Sequence, residues 1–167
     1  MGLASLRYPK WREFVTQWGE IGLVWGVIGL NVFSFFYLPN EVDIVPFAKQ
    51  FVEPNWLAND WYLNLDFGYR YLFNWFLGLL VSWFGLEVAT VLGRLGLYLA
   101  LAVALHFLFK TLVMRLPYRL LVLILFLHNQ SLLAGEWIVG GVETKTVSYV
   151  CLLFSFSFFL RRLPCFV

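Results

Sequence analysis

The chain has 167 residues, of which 61% are hydrophobic, 20% aromatic and 13% charged, and its mean hydropathy is +0.76. A formal net charge of +2, with no run of Lys or Arg able to track a phosphate backbone, excludes a nucleic-acid partner. Apolar runs of membrane length recur throughout, so the composition is that of an all-α, polytopic membrane protein rather than one soluble domain.

Residues 1–18 are basic and precede an apolar run at 19–38. No small-residue cleavage site follows, so the run reads as a retained signal anchor with a cytoplasmic N-terminus. Gly22, Gly26 and Gly29 within it suggest close helix approach. Pro39 and Asn40 end this span, and the stretch NEVDIVPFAKQFVEPNWLANDW, residues 40–61, then concentrates Glu41, Asp43, Glu53 and Asp60 in a chain that is otherwise poor in charge. Next comes YRYLFNWFLGLLVSWFG, residues 69–85, rich in the Trp and Tyr that favour a membrane interface. It is followed by apolar runs at 88–109, 118–134 and 146–160, the last two joined by an external loop at 135–145. With the first, these make four runs able to cross a bilayer core of ~30 Å at 1.5 Å per residue, the two shortest with some thinning.

Charge placement decides whether 69–85 is a fifth crossing, because Lys and Arg accumulate on the cytoplasmic side. If it does not cross, Arg7, Lys10, Arg12, Lys110, Arg115, Arg119, Arg161 and Arg162 are all cytoplasmic, eight of the twelve basic residues. If it crosses, five of those eight move outside. The expectation is therefore four crossings, with residues 39–87 forming a large external loop whose juxtamembrane helices lie on the outer leaflet, against membrane lipid.

The acids then face the extracytoplasmic side. Glu41 and Asp43 have the chemistry of a general base, or of a ligand pair for a divalent cation that neutralises a phosphate leaving group. A solvated loop explains the same spacing. His128, Asn129, Gln130 and Ser131 interrupt the third expected span in its outer half, where they either line the same site or hydrogen-bond between helices. In the loop GEWIVGGVETKT, Glu143 could orient an acceptor and Lys145 meet a phosphate, or the two could cap a helix and anchor it at the interface. His106 reads as a packing residue. Cys151 and Cys165 have no ligand spacing and no framework that implies a disulfide.

A first span, an acidic ExD-type pair directly after it, a helical stretch ending in LANDWYL, an aromatic surface helix, a WFGLE turn and a span opened by an arginine together resemble the start of the GT-C membrane glycosyltransferases. Protein O-mannosyltransferases and lipid A aminoarabinose transferases are members. The resemblance covers about 19–116 and implies that Glu41 and Asp43 supply the catalytic carboxylate. It also implies that Asn59, Asp60 and Trp61 correspond to a "DW" turn between juxtamembrane helices, and that Phe84, Gly85 and Arg94 open the second span, with the arginine displaced from its usual register. By the same resemblance the partner is a polyprenyl-phosphate sugar donor, with Asp60 and Arg94 at the substrates; His128, Asn129, Glu143 and Lys145 join them as substrate-binding candidates from their expected place on the outer side. Family members continue through further spans beyond the point matching RRLPCFV, which implies that this chain is part of a larger membrane protein. The alternative is a small non-enzymatic membrane subunit or a transporter fragment.

Overall fold

The computed structural model describes residues 10–65, 70–134 and 138–162. Five helices account for most of them: α1 (Lys10–Val32), α2 (Glu41–Val52), α3 (Tyr71–Thr111), α4 (Leu116–Ala134) and α5 (Thr144–Arg162). The described residues contain no strand. An all-helical chain is as expected, since only local hydrogen bonding satisfies the backbone of runs this apolar.

The four long helices alternate in direction, and contacts at both ends show it. At one end Glu20 of α1 meets Arg119 of α4 at 2.8 Å, and Arg161 of α5 donates to Thr111 of α3 at 3.0 Å. At the other, Trp25 of α1 donates its indole N–H to the Leu95 carbonyl, and Tyr98 of α3 reaches the carbonyls of Val32 and Gly140. Ile21, Val24 and Ile28 recur on one face of α1 and pack on Tyr98, Leu101 and Ala102 of α3 and on Leu123 and Leu127 of α4. Arg12, Lys110, Arg115, Arg119, Arg161 and Arg162 thereby collect at one end, with Glu41, Asp43, Glu53, Asp60 and Glu143 at the other.

α3 consists of two helical arms joined at one residue. Gly85 has φ 79° and ψ 168°, a region open essentially only to glycine. The chain folds back there. Phe73, Leu77 and Leu80 of the first arm line the same cleft as Gly93, Gly96 and Leu97 of the second, whereas residues 76 and 97 of a straight helix would stand ~32 Å apart. α2 packs on this first arm, with Ile44, Val45 and Ala48 against Leu77 and Val81, and Ala89 of the second arm joins the same cluster. A Cβ on Gly78 would stand 2.7 Å from Val52 Cγ1, so only glycine permits that approach.

Several expectations are corrected. Among the described residues one helix, Tyr71–Thr111, is long and apolar enough to cross a membrane, so length and composition alone do not support four spans. The reason lies in the helix boundaries. α1 begins at Lys10, takes in Arg12, Glu13 and Glu20, and stops at Val32, so residues 33–38 of the expected 19–38 span leave the helix. α5 opens with Thr144 and Lys145 and ends in Arg161 and Arg162, with serines in place of a continuous apolar run. Cβ atoms on Gly22, Gly26 or Gly29 would meet nothing within 4 Å, so these glycines mark no close helix approach. The close approaches occur instead at Gly78, Gly93 and Gly141. Arg7, Glu136, Cys165 and the start of the 69–85 segment lie outside the described residues.

Candidate functional site

After α1 the chain runs through Phe33–Asn40 before α2 begins, and this connection is held by a buried ion pair. Ser34 Oγ accepts the Phe36 N–H at 3.1 Å, a local bond that competes with helix continuation. Glu41, the first residue of α2, is fully buried, and Arg94 of α3 is 1% exposed. The Arg94 guanidinium grips the carboxylate with both faces of its fork: Nε donates to Oε1 at 2.7 Å and Nη2 donates to Oε2. Two of its remaining N–H groups reach the carbonyls of Ser34 and of Phe36. Glu41 accepts two more bonds, from the Leu38 N–H at 2.8 Å and from the Val142 N–H at 2.7 Å. One ion pair thus ties the α1–α2 connection, α2, α3 and the segment before α5 into a single frame. Gly141 lies against it, where a Cβ would stand 2.9 Å from Glu41 Oε1. Such a pair is stabilising only because four of the five arginine donors and both carboxylate oxygens are engaged.

A second buried polar side chain completes the frame. Gln130 of α4 accepts from the N–H groups of Ile138 and Val139 at 3.0 and 2.8 Å and donates to the Val139 carbonyl at 3.1 Å. The loop from 138 to 143 is therefore held from α4 by Gln130, from α3 by Tyr98 and from α2 by Glu41.

Beside this frame, at the acidic end, lies a cleft of about 620 Å³. Its polar lining is Asn31, Asn40, Glu143 and Lys145, and Leu38, Pro39 and the Gly140–Gly141 backbone close it. Asn40 donates to Glu143 Oε1 at 3.0 Å, and Lys145 Nζ stands 2.9 Å from Glu143 Oε2. A carboxylate and an ammonium are thus held side by side at the mouth of a partly enclosed space, the charge arrangement needed to orient a hydroxyl and to meet an anion.

The structure brings together Glu41, Arg94, Glu143 and Lys145 from the residues singled out in the sequence, and separates the others. Asp43 is exposed in the first turn of α2, three residues on from Asn40 and so on the neighbouring turn of the same face. Asp60 is exposed and caps its own turn, accepting the N–H groups of Tyr62 and Leu63 at 3.0 Å each. His128 Nδ1 lies 3.0 Å from the Ile124 carbonyl and Asn129 donates to the Leu125 carbonyl at 2.7 Å, so both bond back along α4 and neither lines the cleft. Of the polar run in α4, Gln130 is the residue that reaches across. Asn31 and Asn40 carry no sequence signal beyond their polarity.

Both Glu41 oxygens are taken by Arg94 and backbone N–H groups, and among the described residues no three His, Cys, Asp or Glu side chains gather where they could hold a metal ion. At the basic end, Glu20 bridges Arg119 and His106. Its Oε2 is 3.3 Å from His106 Nδ1, but the ring is not aligned for a hydrogen bond.

Comparison with protein-family models, curated proteins and solved structures yields no match for this chain.

Proposed function

We propose that this chain is the membrane portion of a GT-C-like glycosyltransferase that moves a sugar from a polyprenyl-phosphate donor on the extracytoplasmic side. The observation that carries the reading is the cleft at the acidic end, where Glu143 and Lys145 are held side by side on a frame made rigid by Glu41 and Arg94. In this reading Lys145 stands against the phosphate that leaves with the polyprenyl chain as the bond from the sugar's anomeric carbon to phosphate oxygen breaks. Glu143 orients the acceptor, and Asp43 takes the acceptor's proton as its oxygen bonds to the anomeric carbon. Glu41 acts by positioning, since its oxygens are already engaged.

Membrane insertion through α1, the second arm of α3, α4 and α5 belongs to the same proposal, with the basic end cytoplasmic. It is supported by the long apolar α3 and by the large apolar side chains turned outward on every other long helix, such as Leu30, Leu125, Leu132, Leu152 and Phe158. The runner-up is a non-enzymatic membrane subunit, favoured by the structural use made of Glu41.

Transfer assays on the reconstituted protein with a panel of polyprenyl-phosphate sugars separate the two. Asp43→Asn is expected to lower transfer ~10²–10⁴-fold. Glu53→Gln, which keeps the oxygen that Ser82 Oγ donates to at 2.9 Å, leaves it unchanged. Small and equal effects at 43 and 53 would return the acids to a loop role and favour the subunit.

A further inference from the structure

A second cleft lies away from Glu143 and Lys145. It has a volume of about 880 Å³ and sits between the two arms of α3 and the start of α5. Its walls are apolar: Phe73, Phe76, Leu77 and Leu80 on the first arm, and Leu92 and Leu97 on the second. Thr144 and Ser148 of α5 and the guanidinium-bearing Arg70, just before the first arm, add the polar groups. Gly93 and Gly96 form the floor. Gly93 is covered by Val142, whose Cγ2 would stand 2.9 Å from a Cβ there, whereas a Cβ on Gly96 would meet nothing within 4 Å and would project into open space.

The volume falls within the range of ~300–1,000 Å³ typical of built ligand sites. An apolar space of this size, opening beside the membrane-length helix, is filled by the surrounding apolar medium, because leaving it empty forfeits dispersion contacts on every wall. In a bilayer that medium is glycerophospholipid, which exceeds every other hydrocarbon chain in concentration and takes the site by mass action. A cationic side chain at the cleft then selects among headgroups, since Arg meets phosphate with a planar fork of donors.

We propose that this cleft is a lipid site that takes the acyl chain of an anionic glycerophospholipid, with the headgroup phosphate at Arg70. The site rests on the membrane insertion proposed above, but it is separate from the cleft at Asn40 and Glu143 and does not depend on glycosyl transfer. It closes the gap that the fold at Gly85 leaves between the two arms, so the bound lipid holds the first arm, and with it α2, against the body of the protein.

The test is native mass spectrometry of the full chain released from nanodiscs containing equal phosphatidylglycerol and phosphatidylcholine, with a trace of polyprenyl phosphate. Retention of phosphatidylglycerol is expected, at about fivefold preference over phosphatidylcholine. Gly96→Leu, which fills the cleft without backbone strain, should abolish retention, and Arg70→Gln should remove the headgroup preference while leaving an acyl lipid bound. Gly22→Leu, at an equally open position on α1, should change neither. Photocrosslinking of the unmodified protein by phosphatidylglycerol with a diazirine in its acyl chain gives an arm that needs no variant, with adducts expected at residues 92–97 or 147–148. Adducts elsewhere, retention that survives Gly96→Leu, or retention of polyprenyl phosphate in place of phosphatidylglycerol would each overturn the proposal.

Discussion

Arg94 and Glu41 show how much one pair of side chains can hold. Each is buried, and together they satisfy two backbone carbonyls and two backbone N–H groups from the segments on either side of α2. Removing one partner leaves a charge buried without compensation, a cost of about 3–5 kcal/mol. Arg94→Met should therefore lower the thermal midpoint in detergent steeply. Arg94→Lys should recover little of it, because an ammonium cannot reproduce the two-pronged grip on the carboxylate or reach the Ser34 and Phe36 carbonyls at once. A midpoint for Arg94→Lys equal to that of the parent would contradict the geometry. Val113, in the turn between α3 and α4, illustrates the opposite case. It is 82% exposed and has φ 54°, a left-handed conformation that costs a branched L-residue about 1–2 kcal/mol. Val113→Gly should raise the midpoint in the same assay, since it relieves that cost and removes no packing.

Among the elements, α3 determines where α2 sits. Its second arm, residues 86–111, is ~39 Å long at 1.5 Å per residue and exceeds a bilayer core of ~30 Å, whereas its first arm turns back at Gly85 to lie under α2. The fold-back depends on backbone angles that other residues avoid. Gly85→Ala is expected to cost about 1–3 kcal/mol and to loosen α2 together with the first arm. The measurement is hydrogen exchange, with faster exchange of amides in 44–52 and 73–84 and unchanged protection in 95–108. Uniformly faster exchange would mean that Gly85 supports the whole molecule rather than the angle between the arms.

Across the whole molecule, the separation of charge between the two ends gives the proposed orientation its physical basis. The described part of the basic end carries seven Arg or Lys, Lys10 at the start of α1 included, against Glu13 and Glu20, and a bilayer with anionic lipid on its cytoplasmic face favours that end inside. In a background with Cys151 and Cys165 replaced by Ser, Asn55→Cys should react with an impermeant maleimide in intact cells. Tyr118→Cys should react only after permeabilisation. Reaction at 118 from outside would reverse the orientation and move the cleft at Glu143 to the wrong side for an extracytoplasmic transfer.

What the sequence by itself determined follows from properties that add up locally. Apolar content establishes helices, charge bias sorts the ends, and Gly85 before Leu86 and Glu87 marks the break in α3, because each depends on near neighbours along the chain. Helix ends were less legible. The apolar run to residue 38 gives no hint that the helix stops at Val32, which depends on Arg94, 60 residues from Ser34 in sequence, accepting a place beneath the Ser34 and Phe36 carbonyls. Tertiary structure alone decided the roles of the polar residues. Glu41 and Asp43 stand two apart and look equivalent, yet the helical turn of ~200° between them buries one and exposes the other. Within His128, Asn129 and Gln130, three successive residues spaced ~100° apart around α4, only Gln130 points at the 138–139 backbone, so a distinction invisible in composition becomes a matter of which face the neighbouring helices cover.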